Sequence, residues 1–368
     1  MPDRMTDFKH MRDKQMKRFQ AHELHTFSTK VLTQAGVSQQ HARLAADALI
    51  QADLEGVDSH GILRLAVYVK RMEENRINPR PHIKFFESSP TVLSVDGDNG
   101  LGHIVSTIAL DRGIEMAKNL GLAGIAVRNS NHFGTASYYC QRACKHRLAS
   151  IVLTNSPAGI PPWGGRKAFL GTNPIAFGFP TGTDVPVMID LSTSVVARGK
   201  IMAAEKQGEA IPDGWAIDEN GKMTNDPSAA LRGAVLPLGG AKGSALALAV
   251  EILAGVLTGA AFAPNVTSIY QDQVTEQANI GHLFILIDIE KFMDYSEFTS
   301  SLNDLLRSMK SVPKAPGTEE IRYPGERRSQ EQAKRLEEGI PVPLAVVNEL
   351  IELGQKYDVP FPEKKLIP

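Results

Sequence analysis

The sequence is poor in the residues that build redox or metal scaffolds. Its 368 residues contain two cysteines, Cys140 and Cys144, spaced one helical turn apart. Thiols at that spacing on a helix make a poor disulfide and only half of a metal site, so reduced, buried thiols are expected. The ten histidines include no HExxH and no paired-carboxylate spacing, so no metal is expected. Excess charge of either sign is also lacking. A formal net charge of -1 argues against a nucleic-acid or anionic-membrane partner. No apolar run approaches the roughly 20 residues that span a bilayer. The first twenty residues have no apolar core, and Asp3, Asp7 and Asp13 count against a transit segment. Residues 1–20 are therefore expected to form a flexible extension of a cytoplasmic protein. Neither GxGxxG nor GxxxxGK[ST] occurs, so the ordinary Rossmann fingerprint and the P-loop are both missing.

What remains fits a soluble enzyme. Hydrophobic content is 42% and charged content 22%, both ordinary for a globular chain. The length exceeds what one core usually accommodates, so two substructures are expected. Residues 21–80 read as helical, with periodic runs at 23–35 and 39–54, and Gly36 is placed to end the first. Pro79 and Pro81 close that block. From about Thr91, short β-branched runs alternate with helical patterns, which predicts an α/β domain. The expected strands are 91–95, 122–127, 150–154, 175–179, 185–190 and 282–289. The expected helices are 104–120, 135–147, 195–205, 243–258 and 296–310. Residues 311–327 form a Pro/Gly-rich connection, and helices at 329–338 and 344–356 are placed to pack back on the first block.

Six segments could carry chemistry. In Asp58-Ser59-His60-Gly61, Ser59 is a good helix N-cap, and a helix is expected to begin there. Ile62, Leu65, Ala66, Val69 and Met72 then share one face, and His60, Arg64, Tyr68 and Arg71 the other. An imidazole, a guanidinium fork and a phenol in one row suit proton transfer on a carboxylate substrate. Ordinary surface polarity explains the same row about equally well. Asn131-His132-Phe133-Gly134 lies between a strand and a helix, where open α/β sheets place ligands. There His132 either touches a ligand or caps the next helix. Gly171-Thr172-Asn173-Pro174 makes a polar loop, which turn geometry alone also accounts for. Asp190 ends a buried strand, placed to orient an imidazole, and Ser192, Thr193 and Ser194 precede a helix whose amides suit a phosphate. Gly239-Gly240-Ala241-Lys242-Gly243 opens another helix with a cation beside its free amides. Gly325-Glu326-Arg327 is by default a solvated turn.

Together these strings resemble the type-2 malate/L-lactate dehydrogenase family, which includes sulfolactate and ureidoglycolate dehydrogenases. DSHGILRLAVYVKR, NSNHFGTASYYCQRA, PPWGGRKAFLGTNPIAFGFP, MIDLSTSVVARGKI, IPDGWAIDENG, LPLGGAKGSALALAVEILAG and YPGERR carry the resemblance, which covers roughly residues 20–365. It implies an α/β, non-Rossmann fold, with a central cofactor domain at 91–310 packed on a helical domain. The helical domain takes residues 21–90 and the C-terminal segment 311–368. It implies an NAD- or NADP-dependent oxidoreductase acting on a small 2-hydroxyacid or 2-oxoacid, and a homodimer. By the resemblance, His60 is the acid/base and Asp190 supports it. Arg64 meets the substrate carboxylate, with Tyr68, His132 and Thr172 lining the pocket. Asn173, Ser192, Thr193, Ser194, Lys242, Gly243, Gly325, Glu326 and Arg327 correspond to cofactor contacts. Residues 261–281 do not strongly match a motif of the family. Two alternatives stand beside this reading: a lyase that uses His60 as base without nicotinamide, and a non-catalytic relative. Nicotinamide fluorescence titration discriminates the first, and turnover on a 2-oxoacid panel the second.

Overall fold

The computed structural model describes residues 16–268 and 277–362. The chain divides into two compact units. The described residues up to Asn75 join those from Glu326 onward, and Arg76–Gly325 form the second unit. The divisions fall at 75/76 and 325/326, against sequence-based boundaries at 90 and 310. Part of the weakly matched 261–281 segment, residues 269–276, lies outside the described residues, as do residues 1–15 of the expected extension.

The first unit opens with strand β1 (Met16–Phe19) and helices α1 (Ala21–Gln34) and α2 (Gln39–Leu54). Residues 16–19, expected within a flexible extension, are thus an ordered strand. Leu24, Phe27, Val31 and Leu32 recur at helical spacing and are buried, as are Ala42, Ala45, Ala46 and Leu49 of α2, and the two helices pack together. Ser38 caps α2 by accepting from the His41 amide at 3.3 Å. Two 3-10 turns follow, Asp58–His60 and Ile62–Arg64, before α3 (Leu65–Glu73) begins.

The second unit runs through β2 (Lys84–Ser89), β3 (Val92–Asp96), α4 (Gly102–Leu120), β4 (Leu122–Ser130), α5 (Ala136–Lys145) and β5 (Leu148–Thr154). It continues with β6 (Ala158–Ile160), β7 (Leu170–Gly171), β8 (Ile175–Phe179), β9 (Val187–Leu191) and α6 (Arg198–Gln207). Then come β10 (Ala216–Ile217), β11 (Met223–Thr224), α7 (Pro227–Arg232), β12 (Ala234–Val235) and α8 (Ala241–Val250), which continues as a π-helical stretch, Glu251–Val256. Strand β13 (Ile280–Asp288) and α9 (Tyr295–Ser311) complete it. The main sheet has seven strands in the order β2-β3-β4-β13-β5-β8-β9. Only β3 and β4 pair in parallel; the other neighbours are antiparallel. Leu283 packs with Val250 and Ala254. Leu286, three residues on, points instead toward Gly113 of α4, as does Ile125. Helices therefore cover both faces, which explains why β13 is apolar nearly throughout. A smaller core of Ile160, Leu170, Val196, Ile201, Ala216 and Val235 gathers under the side sheet β11-β10-β12. Strand β2 was not expected: all six of its residues are exposed, so it carries no buried alternation.

The chain then returns to the first unit with α10 (Glu326–Glu338), β14 (Ile340–Pro343) and α11 (Leu344–Lys356). Strand β14 pairs antiparallel with β1, Phe19 opposite Ile340.

Candidate active site

In the first unit the Asp58–Gly61 segment departs from the helix expected there. The cause is Asp53. Its buried carboxylate accepts from the Ile62 amide at 2.7 Å. Gly61 is extended, with φ -90° and ψ -151°, and a Cβ on it would lie 1.8 Å from Asp53 Oδ1. The capping group is therefore Asp53, nine residues upstream of Ile62, and not Ser59. Ser59 does something else: its hydroxyl meets His60 Nδ1 at 2.9 Å, and its carbonyl accepts from Arg64 Nε at 2.7 Å. One residue thus orients both the imidazole and the guanidinium. Burial, with nearby Asp58 adding to it, raises the Asp53 carboxyl well above the ordinary carboxylate range; the Ile62 amide and Arg335 act in the opposite sense.

The expected solvated row His60, Arg64, Tyr68, Arg71 needs correction. Tyr68 is 0% exposed and Arg71 is buried, so only part of that face is open. Burial raises the Tyr68 phenol above its usual range, keeping it protonated. Burial likewise lowers the Arg64 guanidinium from its ordinary value, though not enough to discharge an arginine.

In the second unit three loops converge. The carbonyl of Thr172 accepts from the Thr193 amide at 3.1 Å and from the Ser192 hydroxyl at 3.0 Å. The Thr193 carbonyl in turn accepts from the Leu238 amide at 2.9 Å, which brings up the Gly239–Gly243 turn. Ser192 and Ser194 share a hydroxyl contact of 2.6 Å. Thr172, Ser192, Thr193, Ser194, Lys242 and Gly243 therefore belong to one neighbourhood. Asn173 sits beneath it, 0% exposed. Its amide nitrogen donates to Glu251 Oε2 at 2.6 Å and to the Ala247 carbonyl at 3.0 Å, and its Oδ1 accepts from the Ser156 amide. Those bonds use the Asn173 side chain to hold the loop. Glu251, at the start of the π-helical stretch, also accepts from Asn155 and from the Ala263 amide. π-Helical turns often mark functional sites.

The turn at 239–243 fits an anionic ligand. Gly239 and Gly240 have φ of 61° and 68°, and a Cβ on Gly243 would lie 1.9 Å from the Leu238 carbonyl. Glycine there lets the backbone turn into α8, whose first amides lack helical acceptors as at any helix start, and Lys242 is exposed beside them. Gly325 is held against β9: a Cβ on it would lie 2.5 Å from the Pro186 carbonyl, and Pro324 accepts from the Met188 amide at 2.9 Å. Glu326 and Arg327 follow as the first residues of α10, in the other unit.

The His132 loop is supported from below. Gly134, at φ 79°, packs on His103, and the two histidine rings lie 6.4 Å apart. Phe133 stacks on His282 at 4.5 Å. His282 is fully buried between Ser130 and Thr154, and burial drives its pKa down to about 3. Asp190 accepts from the Ser137 amide at 3.3 Å in the first turn of α5. Asp53, Arg335, Glu251, His103 and His282 were missed by sequence reading, since each draws its meaning from residues far along the chain. Cys140 and Cys144 are buried, and burial lifts the Cys144 thiol to about 12. Among the described residues no cluster could hold a metal ion.

A histidine beside an arginine fork in one unit, and a glycine-opened helix start on an α/β sheet in the other, are groups an oxidoreductase could use. The malate/L-lactate dehydrogenase family profile matches residues 19–351. A malate dehydrogenase of Pyrococcus abyssi is 37% identical over 94% of this chain and 97% of its own length. A (2R)-3-sulfolactate dehydrogenase (NADP(+)) of Chromohalobacter salexigens is 38% identical over 89% of this chain and 95% of its own. The crystal structure of malate dehydrogenase from Entamoeba histolytica superposes with a TM-score of 0.90 at 33% identity, covering 95% of this chain and all of that one. The relatives' names carry both NADP(+) and NAD(+). The chain belongs to the malate/L-lactate dehydrogenase family, with that family's α/β fold, and it is a dehydrogenase.

Proposed function

We propose that this dehydrogenase moves hydride between C2 of a small 2-hydroxyacid, malate- or lactate-like, and the nicotinamide of NAD or NADP, with His60 as acid/base. The observation that carries it is Ser59, which holds His60 Nδ1 on its hydroxyl and Arg64 Nε on its carbonyl, so that both side chains spring from one fixed turn. In oxidation His60 takes the hydroxyl proton at Nε2, and in reduction it returns it. Arg64 spends Nε on Ser59 and grips the substrate carboxylate through its Nη pair. Tyr68, with its protonated phenol, His132 and Thr172 are assigned to substrate binding, and Asp190 to support of the acid/base, as the family resemblance implies. Bound nicotinamide supplies the carbon that accepts or gives the hydride. Ser192–Ser194, Lys242 and Gly243, with Gly325, Glu326 and Arg327, hold the dinucleotide, and Asn173 holds their loop.

The working form is a cytoplasmic homodimer. Leu248, Ile252, Val256 and Leu257, between 49% and 63% exposed, make an apolar stripe along α8 and its continuation that suits a second copy. Among the described residues no helix is long and apolar enough to cross a membrane. The test is a panel of 2-oxoacids assayed with both reduced cofactors, using wild-type and His60→Ala. Oxidation of NADH or NADPH with at least one 2-oxoacid is expected, with turnover lowered about 100-fold or more in the variant. No turnover on the whole panel, or near-normal turnover in His60→Ala, overturns the reading.

A further inference from the structure

Arg335, near the end of α10, is buried, and its guanidinium converges on the turn that carries His60. Its Nη1 donates to the main-chain oxygen of Asp53 at 2.6 Å and to the Asp58 carboxylate; Nη2 faces the other Asp58 oxygen at 3.5 Å. Its Nε donates to Glu331 at 2.6 Å, which fixes the plane of the fork. One turn of α10 earlier, Glu331 lies against Gly56. Arg328, two turns before Arg335, donates to the buried Glu55 at 3.3 Å. Residues 328, 331 and 335 thus ride along residues 55–58 on one face of the helix.

Two backbone bonds close the turn, beside the Ser59 contacts already described. The amide of His60 donates to Val57 at 2.9 Å and that of Gly61 to Asp58 at 3.1 Å. A 3-10 turn so short does not set its own orientation. Ties from outside help to set it, among them Asp53 on the Ile62 side and Arg335 on the Asp58 side.

We propose that Arg335, through its ion pair with Asp58, is a positioning residue that holds the His60 turn for proton transfer. It acts through the turn and not on the substrate. The proposal rests on His60 being the acid/base. Small displacements of a reacting group are costly: about 1 Å can lower turnover about 100-fold.

The experiment compares Asp58→Asn, Arg335→Met, Arg335→Lys and the double variant Asp58→Asn/Arg335→Met with wild-type and His60→Ala. It uses the full chain and a 2-oxoacid that wild-type reduces. The readouts are kcat, KM for the 2-oxoacid, NADH or NADPH dissociation by fluorescence, and thermal midpoint. Asp58 is about half exposed, so its variant folds even if loss of the buried arginine proves too disruptive. Asp58→Asn and Arg335→Met should each lose about 10- to 100-fold in kcat, with cofactor dissociation constants within about twofold of wild-type. The double variant should be no slower than the slower single, because both remove one interaction. Lysine at 335 should recover part of the loss. A kcat within twofold of wild-type in Asp58→Asn, even with a lower thermal midpoint, assigns the pair to stability alone and overturns the proposal; so do single losses that multiply in the double variant. If His60→Ala keeps turnover, the acid–base reading and this proposal fall together. If His60→Ala is inactive while the pair variants are normal, only the positioning role falls.

Discussion

Replacing Gly61 with alanine tests the site's local geometry most directly. The backbone there is extended, at φ -90°, so alanine meets no conformational penalty, and the whole effect is steric. The new methyl would sit 1.8 Å from Asp53 Oδ1 and 2.1 Å from its Cγ, far inside contact distance. Asp53 lies on α2 and is 3% exposed, so its carboxylate has nowhere to retreat without giving up the 2.7 Å bond from Ile62. Losing that bond leaves a buried amide unsatisfied, at about 1–3 kcal/mol. Overpacking adds about 1–3 kcal/mol. Because the two overlap, the expected destabilisation is about 2–5 kcal/mol. With an m-value near 2 kcal/mol per molar, the urea midpoint followed by circular dichroism should fall by about 1 M or more. Turnover should fall by about 100-fold as the His60 turn is displaced. Hydrogen exchange at the Ile62 amide should speed up in parallel. Adding Asp53→Ala relieves the clash, so Gly61→Ala/Asp53→Ala should be no less stable than Asp53→Ala alone. Strictly additive losses, or a Gly61→Ala protein with wild-type midpoint and turnover, would refute the capping role of Asp53.

Two more outcomes follow from the second unit. His282 has a folded pKa of about 3, against about 6.5 when unfolded, because burial disfavours its cation. Its contribution to stability is therefore complete above about pH 6.5 and is lost as pH falls toward 3, at up to about 1.4 kcal/mol per pH unit. His282→Gln keeps a polar side chain that does not titrate, so its unfolding free energy should fall less steeply between pH 6.5 and 4; equal slopes would rule out a neutral buried imidazole. Lys242→Ala should weaken NADH or NADPH binding about tenfold, the loss of one charge-assisted contact of roughly 1.5 kcal/mol. Fluorescence titration reads it, and an unchanged dissociation constant would remove Lys242 from the cofactor site.

Much of this architecture is legible from local patterns. The helix expected at 39–54 is found with those bounds, and the six expected strands are all present, because period and turn chemistry are properties of neighbouring residues. The helical wheel also places Ile62, Leu65, Val69 and Met72 inside. It does not reveal what covers the other side, so Tyr68 and Arg71 came out buried against expectation. Ser59 satisfies every local rule for an N-cap, yet a carboxylate nine residues from Ile62 takes that role. The chemistry-bearing residues His60 and Arg64 stand in a readable string. Their supports do not: Arg335 meets Asp58 across 277 residues of sequence, and Asn173 meets Glu251 across 78. Such partnerships exist only once the chain has folded.

The pairing of β1 with β14 has a consequence for how the protein is made. The second unit is one continuous stretch, Arg76–Gly325, and is complete as soon as that stretch has left the ribosome. The first unit must wait. Its opening strand, its first helices and the histidine-bearing turn are all synthesised early, but Arg328, Arg335 and β14 arrive some 250 residues later. During translation the early helices stand without their return segment, and the apolar faces of α1 and α2 have only each other for cover. A nascent chain stalled before Arg335 therefore carries a complete sheet unit and a His60 turn that lacks its tie to Arg335, with helical apolar surface still exposed.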